Sequence, residues 1–274
     1  MFGSYKENFG NKLLIKVLLT ITLVFSITIF FITKFSYQTE RESAQKYIEE
    51  MSKSYANDIG SKMSQAITIN ESYANLYQSA IDNNTKLDAP VMLSNMISTM
   101  KENKNIFGIW IDMKDISYFY EKKSVDIKNG YNDKGDFGPY ITRQNDQLSV
   151  STNVDLYSEE SNWIKGALET KKTFITEPYL YSVNGKEVLM NSISSPIYKN
   201  NEFIGVVGLD IALDIINDLI KDIKVFENGY LSIVDNYGMI LGHPNKDFVS
   251  KKLLDITKEN SDYKNILENS KNNK

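Results

Sequence analysis

The chain opens with an apolar pattern and then changes period twice. No charged residue falls between Val17 and Thr33. Counted from Leu13 to Thr33, the stretch approaches the ~20 residues that cross a bilayer at helical rise. Lys16 lies near its start, where its stem can snorkel toward the interface. Beyond it, apolar residues recur at Ala44, Ile48, Met51, Tyr55, Ile59, Met63 and Ile67, then at Tyr73 or Ala74, Tyr77 and Ile81. This three-to-four spacing, sustained over about ten turns without a proline, predicts one long amphipathic helix. Gly60 is a weak point within it. The turn residues of "DNNTKLDAP" end it, and Pro90 is placed for the first turn of a second helix reaching about Glu102.

From Asn105 the pattern becomes short, aromatic and β-branched. "IFGIWIDM" and "ISYFYEKK" are expected as strands, and "GYNDKGDFGPYITRQNDQ" as a loop around a short strand at Tyr140 to Arg143. "SEESNWIKGALETKK" predicts a short helix capped by Ser158 or Ser161. Asn184-Gly185 separates two alternating segments and signals a two-residue hairpin, and "KNNEF" marks a second reversal. "FIGVVGLDIAL" is apolar on both faces, as a central strand should be. "DIINDLIKDIK" returns to helical spacing, and "GYLSIVDN" and "GMILGHP", joined by Asn236-Tyr237-Gly238, are two more strands. They read as the start of a smaller second module that the chain leaves incomplete, so either a fragment or a short second module is expected.

Charge and composition narrow the function. The N-terminal tail carries Lys6, Lys12 and Lys16 against Glu7, whereas acids and bases are mixed beyond residue 33; this predicts a cytoplasmic N-terminus and the bulk of the chain outside. No small-residue cleavage site follows the apolar run, so an uncleaved anchor is expected. A net charge of -4 over 274 residues offers no basic footprint for nucleic acid. With no cysteine and one histidine, His243, nucleophile–histidine pairs and thiol- or histidine-rich metal sites lack material. No enzyme activity, cofactor or metal is expected. The acids Asp112, Asp155, Glu177 and Asp210 leave paired-carboxylate hydrolysis as a minor alternative.

The residues suit binding better. Trp110, Tyr118, Phe119, Tyr120, Tyr140, Trp163, Tyr179 and Tyr181 offer aromatic area, most with a polar tip, fitted to a small polar or cationic ligand or to core packing. Asp210 lies among Val206, Val207, Leu209 and Ile211; a buried carboxylate there needs a partner, either a ligand cation or donors such as backbone N–H groups or Arg143.

An apolar helix running into a long stalk helix, then "FGPYITR", "NWIKGALETKKTFITEPYLYSVNGKEVLMNSISSPI" and "FIGVVGLDI", resembles the double Cache (dCache) sensor domain of bacterial transmembrane receptors. Methyl-accepting chemotaxis proteins are its commonest bearers, and histidine kinases and diguanylate cyclases share it. The resemblance implies an α+β fold: a transmembrane helix running into a stalk, then PAS-like antiparallel sheet modules, the second incomplete. It divides the chain into a cytoplasmic tail (1–12), membrane helix (13–33), stalk (34–84), membrane-distal Cache module (85–222) and partial membrane-proximal module (223–274). It also implies extracytoplasmic sensing of an amine, amino acid or other small polar molecule, by a single-pass membrane protein that dimerises through its stalk.

In the amino-acid-sensing members, an Arg two residues before the Trp holds the ligand carboxylate, a Tyr follows the Trp, and a Tyr-x-Asp pair with a later Asp holds the ammonium. Trp163, Tyr179 and Asp210 match that pattern. Ser161 stands in the Arg position, Ile164 where the Tyr follows, and Tyr181 where the first acid belongs. The expected site is therefore Trp110, Tyr140, Trp163, Tyr179, Tyr181 and Asp210, with Arg143 as a substitute guanidinium. The alternative class is a membrane-tethered surface or interaction protein with no ligand.

Overall fold

The computed structural model describes residues 2–152, 157–235 and 237–256, with side chains from Phe9 onward. The candidate acid Asp155, the turn residue Asn236 and the last part of the second module (257–274) lie outside the described residues. The chain falls into two units, Met1–Asn57 and Asp58–Lys274.

Helix α1 (Phe2–Asp82) supplies all the described residues of the first unit. Its large apolar side chains from Phe9 to Phe35 are exposed, and a stretch of mean hydropathy 2.5 has no protein packed on it. The hydroxyls of Thr20, Thr22, Ser26 and Thr28 donate to carbonyls four residues back, at 2.8–2.9 Å. These four hydroxyls are thus satisfied within the helix, as a hydrocarbon environment demands. Length, hydropathy and internal satisfaction make this segment fit to cross a membrane.

In the second unit α1 changes character. Ala66, Asn70, Ala74, Tyr77 and Ala80, spaced three to four apart, form its buried stripe. Helix α2 (Ala89–Glu102) follows as the sequence predicts: the Asp88 carboxylate accepts from the Val91 N–H at 3.0 Å, and Pro90 sits in the first turn.

The sheet is antiparallel throughout, with order β3-β2-β1-β7-β6-β4, and β5 also pairs with β6. Its strands are β1 (Gly108–Met113), β2 (Pro139–Gln144), β3 (Gln147–Thr152), β4 (Phe174–Ile175), β5 (Tyr179–Val183), β6 (Lys186–Lys199) and β7 (Glu202–Ala212). Helix α3 (Asn162–Thr170) precedes β4. Three hairpins turn on pairs of residues with positive φ: Asn145-Asp146, Asn184-Gly185 and Asn200-Asn201. This is the pair of left-handed residues that a tight hairpin requires. β7 is central, as its apolar run predicts. Gly205 in β7 has φ +153, and a Cβ there would lie 2.4 Å from the Asp112 carbonyl oxygen, so only glycine fits where the register with β6 shifts.

The two sheet faces have separate cores. Ile109, Ile111, Ile141, Ile193, Val207 and Leu209 pack toward α1 and α2; Trp110, Tyr140, Met190 and Val206 pack toward Ile164 and Ala167 of α3. Asn70 joins α1 to the first face: its Nδ2 donates to Ser195 Oγ at 2.9 Å and to the Val207 carbonyl at 3.2 Å, with no exposure. Asn70→Ala is expected to cost about 1–3 kcal/mol, because the Val207 acceptor stays buried without its donor. A lowered urea midpoint at unchanged slope checks this.

Three sequence expectations are corrected. "ISYFYEKK" is not a strand: the Asp115 carboxylate accepts from the Ser117 N–H at 2.9 Å and starts a 3-10 turn, Ile116–Tyr118. Gln147 begins β3, so the expected loop closes into a hairpin. The helix expected over "DIINDLIKDIK" shrinks to α4 (Leu213–Asp218), because three-residue turns take over from Leu219 onward, with the Ile220 N–H on the Asn217 carbonyl and the Ile223 N–H on that of Ile220, before Lys224 enters a strand. Beyond it lie short strands, β8 (Lys224–Val225), β9 (Gly229–Tyr230), β10 (Ile233–Val234) and β11 (Ile240–Gly242), then a 3-10 turn (Lys246–Phe248) and one helical turn, α5 (Leu253–Ile256). His243 is buried there with a structural role: its Nδ1 accepts from the Asn245 N–H at 2.9 Å, and its ring meets Tyr230 and Phe248 edge to face.

Candidate functional site

Strand alternation puts every other residue of β1, β6 and β7 on the α3 face. Trp110 and Asp112 therefore share that face, as do Ser192, Gly208 and Asp210. Gly208 permits the central contact: a Cβ there would fall 2.0 Å from the Trp110 ring, so the indole lies directly on the strand. From that position Trp110 Nε1 donates to Asp210 Oδ1 at 3.0 Å. Tyr140, on β2, donates its hydroxyl to Asp210 Oδ2 at 2.8 Å. Ser192, paired with Asp210 in the sheet register, donates to Oδ1 at 2.5 Å.

Asp210 is 2 % exposed, and its three partners are neutral donors. Burial raises its pKa above the ordinary carboxylate value, and the bonds from Ser192, Trp110 and Tyr140 oppose that rise. Burial, followed by the Asp210 charge, pushes the Tyr140 hydroxyl far up, so it remains a donor. Ser192 already donates to Asp210, so the 2.6 Å bond between Tyr179 Oη and Ser192 Oγ runs from the tyrosine to the serine. Tyr179 therefore reaches the acid through a relay.

Trp163, at the start of α3, covers this group. Its ring stacks on Tyr179 at 5.8 Å and meets Tyr181 and Trp110 edge to face at 5.6 and 6.4 Å. On β5, Tyr179 and Tyr181 turn inward while Leu180 is 63 % exposed, the alternation of a strand with one buried face. The Tyr181 hydroxyl makes no hydrogen bond within the described residues. The cavity left among Trp110, Tyr140, Trp163, Tyr179, Tyr181 and Asp210 is about 10 Å³, room for about one water molecule.

Six of the seven expected residues thus meet around one carboxylate. Arg143 does not join them. It shares strand parity with Ile141, so it points to the opposite face. There its Nε donates to the Ile106 carbonyl at 3.3 Å and its guanidinium to the carbonyls of Met100 and Asn103, at the C-terminal end of α2. The substitute carboxylate clamp is therefore absent from this site. Phe119 and Tyr120 also lie elsewhere, packed with Tyr77 and Phe137, and Tyr118 sits beneath the Lys199 ammonium.

Two residues belong to the group that sequence reasoning did not place there. Ser192 was signalled only by a serine-rich strand beside an acidic one, and its register with Asp210 appears only in the sheet. Asp112, noted in the sequence as one of several scattered acids, accepts from Trp163 Nε1 at 3.2 Å and is 1 % exposed. Burial pushes its pKa up to about 7, against the lowering effect of the Trp163 bond. Register places Asp112 opposite Val206 and Asp210 opposite Gly108. The two acids are thus four residues apart along the strands, about 13 Å at strand rise. Glu177 is exposed.

The antiparallel sheet thus carries an aromatic, acid-floored group on the face away from its long helix. Residues 91–218 match the family model described as methyl-accepting chemotaxis protein-like, first PDC sensor domain. Over that stretch, a little under half of the chain, it is similar to the sensor domains borne by methyl-accepting chemotaxis proteins. Methyl-accepting chemotaxis protein PscA of Pseudomonas syringae pv. tomato is 35% identical over 91 residues, 33% of this chain and 14% of PscA. PctB of Pseudomonas aeruginosa, another such protein, is 24% identical over 256 residues, 92% of this chain and 35% of PctB. The chain thus spans about a third or less of these curated relatives. The extracellular domain mmHK1S-Z3, described as that of a histidine kinase, superposes with a TM-score of 0.65 at 27% identity, covering 84% of this chain and 81% of that domain. The ligand-binding domain of PctB, solved in complex with L-Gln, shares the fold with a TM-score of 0.52 at 21% identity, over 78% of this chain and 74% of that one.

Proposed function

We propose that this chain is the sensing part of a membrane-anchored receptor in which residues 85–222 bind a small extracytoplasmic amine and pass the event to chemotactic signalling. The observation that carries this reading is Asp210: a buried acid held by three neutral donors, with no cation from the described residues, beneath two indoles and three phenols. Such a site takes an ammonium through charge, hydrogen bonding and cation–π contact together. PctB's domain is known with L-Gln. In the site described here only the ammonium end of an amino acid meets a complementary group. The proposal includes a cytoplasmic N-terminus (1–12), a membrane helix at 13–33, a stalk to residue 84 that pairs two copies, and a second module from residue 223. It does not include catalysis.

Entry of a ligand requires the closed aromatic group to open, since only one water's volume is free within it. The ligand drives signalling to the extent that it binds one arrangement of α3 and the sheet better than another. Asn70 ties α1 to β6 and β7, the strands that carry Ser192 and Asp210. A shift of those strands therefore acts on the helix.

The chain has two tryptophans, Trp110 and Trp163, and both line the site. In the full chain reconstituted in lipid nanodiscs, a primary alkylamine is expected to change tryptophan emission saturably, and Asp210→Asn to abolish the change. A saturable response to simple carboxylates with none to amines refutes the reading.

A further inference from the structure

Asp112 is the feature that the amine reading leaves unused. It is 1 % exposed, its Oδ2 accepts only the indole N–H of Trp163, and its Oδ1 is buried with no partner among the described residues. A buried carboxylate oxygen without a donor is costly and calls for an explanation. Asp112 also belongs to the same aromatic group as Asp210. Trp163 bonds it and contacts Trp110, Tyr179 and Tyr181. Tyr181 feels the charges of both acids. The groups facing Asp112 are thus Trp163, Tyr157 and Tyr181; the nearby Glu159 is engaged by Lys114 at 2.9 Å. Among the described residues no cation faces either acid of the site.

We infer that Asp112 is a second cation-binding group of the same site, and that the ligand is a linear diamine bridging Asp112 and Asp210. This rests on the amine reading above and narrows it. Four residues along the strands and one strand across put the two Cα atoms about 14 Å apart, and an ammonium at hydrogen-bond distance from each carboxylate leaves about 8 Å between the nitrogens. An extended chain of about five or six methylenes covers that span. Its apolar middle would run over Trp110 and along Tyr181. The second ammonium would take the unpartnered Oδ1 and displace the Trp163 N–H from Oδ2, so the contact that now closes the site is the one exchanged on binding. An amino acid with a basic side chain fits less well, because its carboxylate would lie beside Asp210 with no guanidinium to receive it.

The test titrates the full chain in nanodiscs with α,ω-diamines from propane to octane and with the corresponding monoamines, followed by tryptophan emission and by calorimetry. The pentane and hexane diamines are expected to bind about tenfold or more tighter than their monoamines, with shorter and longer diamines weaker. Asp112→Asn, which keeps the side-chain shape, should bring diamines down to the affinity that monoamines show for the same variant. Equal affinity for monoamines and diamines overturns the inference and leaves the amine reading standing. A diamine preference that survives in Asp112→Asn also overturns it. If no amine binds while the tryptophan emission still reports buried indoles, both readings fail.

Discussion

Asp210→Ala is expected to destabilise the second unit by about 3 kcal/mol or more and to remove ligand binding altogether. The stability loss follows from the donors left behind. Trp110 Nε1, the Tyr140 hydroxyl and the Ser192 hydroxyl all end on this one carboxylate, and all three residues are buried. A buried donor deprived of its acceptor costs about 1–3 kcal/mol, and a bond to a charged acceptor lies at the upper end. Water entering the vacated space offsets part of the cost, which is why the expectation stays near the lower sum. Asp210→Asn separates the two effects. Its amide oxygen can still accept from Trp110 and Ser192, and its NH2 can donate to the Tyr140 oxygen, so about half of the stability returns. The charge that would attract an ammonium does not. The expected result is therefore an Asn variant that melts between wild type and Ala yet is as inert to amines as Ala. Thermal unfolding followed by tryptophan emission reads both. An Asn variant that binds amines normally would show that the carboxylate's charge is not what the ligand recognises.

How far these contacts could be read in advance depends on the range of the interaction. The hairpin at Asn184-Gly185, the Asp88–Pro90 helix start and the central place of β7 are local or compositional, and the chain states them directly. Asp210 was conspicuous for the same reason, as one acid in an apolar strand. Arg143 shows the limit. It lies three residues from Tyr140, and strand alternation alone sends the two to opposite faces once β2 is known to begin at Pro139. The short strand read at Tyr140 to Arg143 already implied this, but only the packing of α2 brings up the Met100 and Asn103 carbonyls that hold the guanidinium. Ser192 and Asp112 were out of reach for a different reason: each joins the site through register, with Ser192 opposite Asp210 and Asp112 four residues from the position opposite it. Register is fixed by long-range pairing, which no short window of sequence contains. The misread "ISYFYEKK" belongs to a third kind. Phe119 and Tyr120 are buried as a strand's residues would be, but around Tyr77 and Phe137, where a turn begun by Asp115 places them.

Asp112 makes stability depend on pH in an unusual direction for a carboxylate. In the unfolded chain it titrates at its ordinary value of 3.8, and in the folded protein burial pushes it up to about 7. Between those values the folded state holds a proton that the unfolded state has released, so each rise in pH favours unfolding. Below the lower value both states are protonated, and above the upper one both are ionised, so the effect is confined to that window. Its full size is roughly 4 kcal/mol, of which about 3 kcal/mol falls between pH 5 and 8. For a unit of this size that is a drop of about 6–12 °C in melting temperature over that interval. Asp112→Asn cannot ionise and should lack this component, melting well above wild type at pH 8 and close to it at pH 5. A constant difference between the two proteins at both pH values would show that Asp112 titrates normally. The same window bears on ligand capture. Above pH 7 the folded protein carries a second, uncompensated buried charge, and a dication that neutralises it recovers what ionisation cost. Diamine affinity is therefore expected to rise from pH 5 to 8 in wild type while monoamine affinity changes less, and Asp112→Asn should show no such divergence.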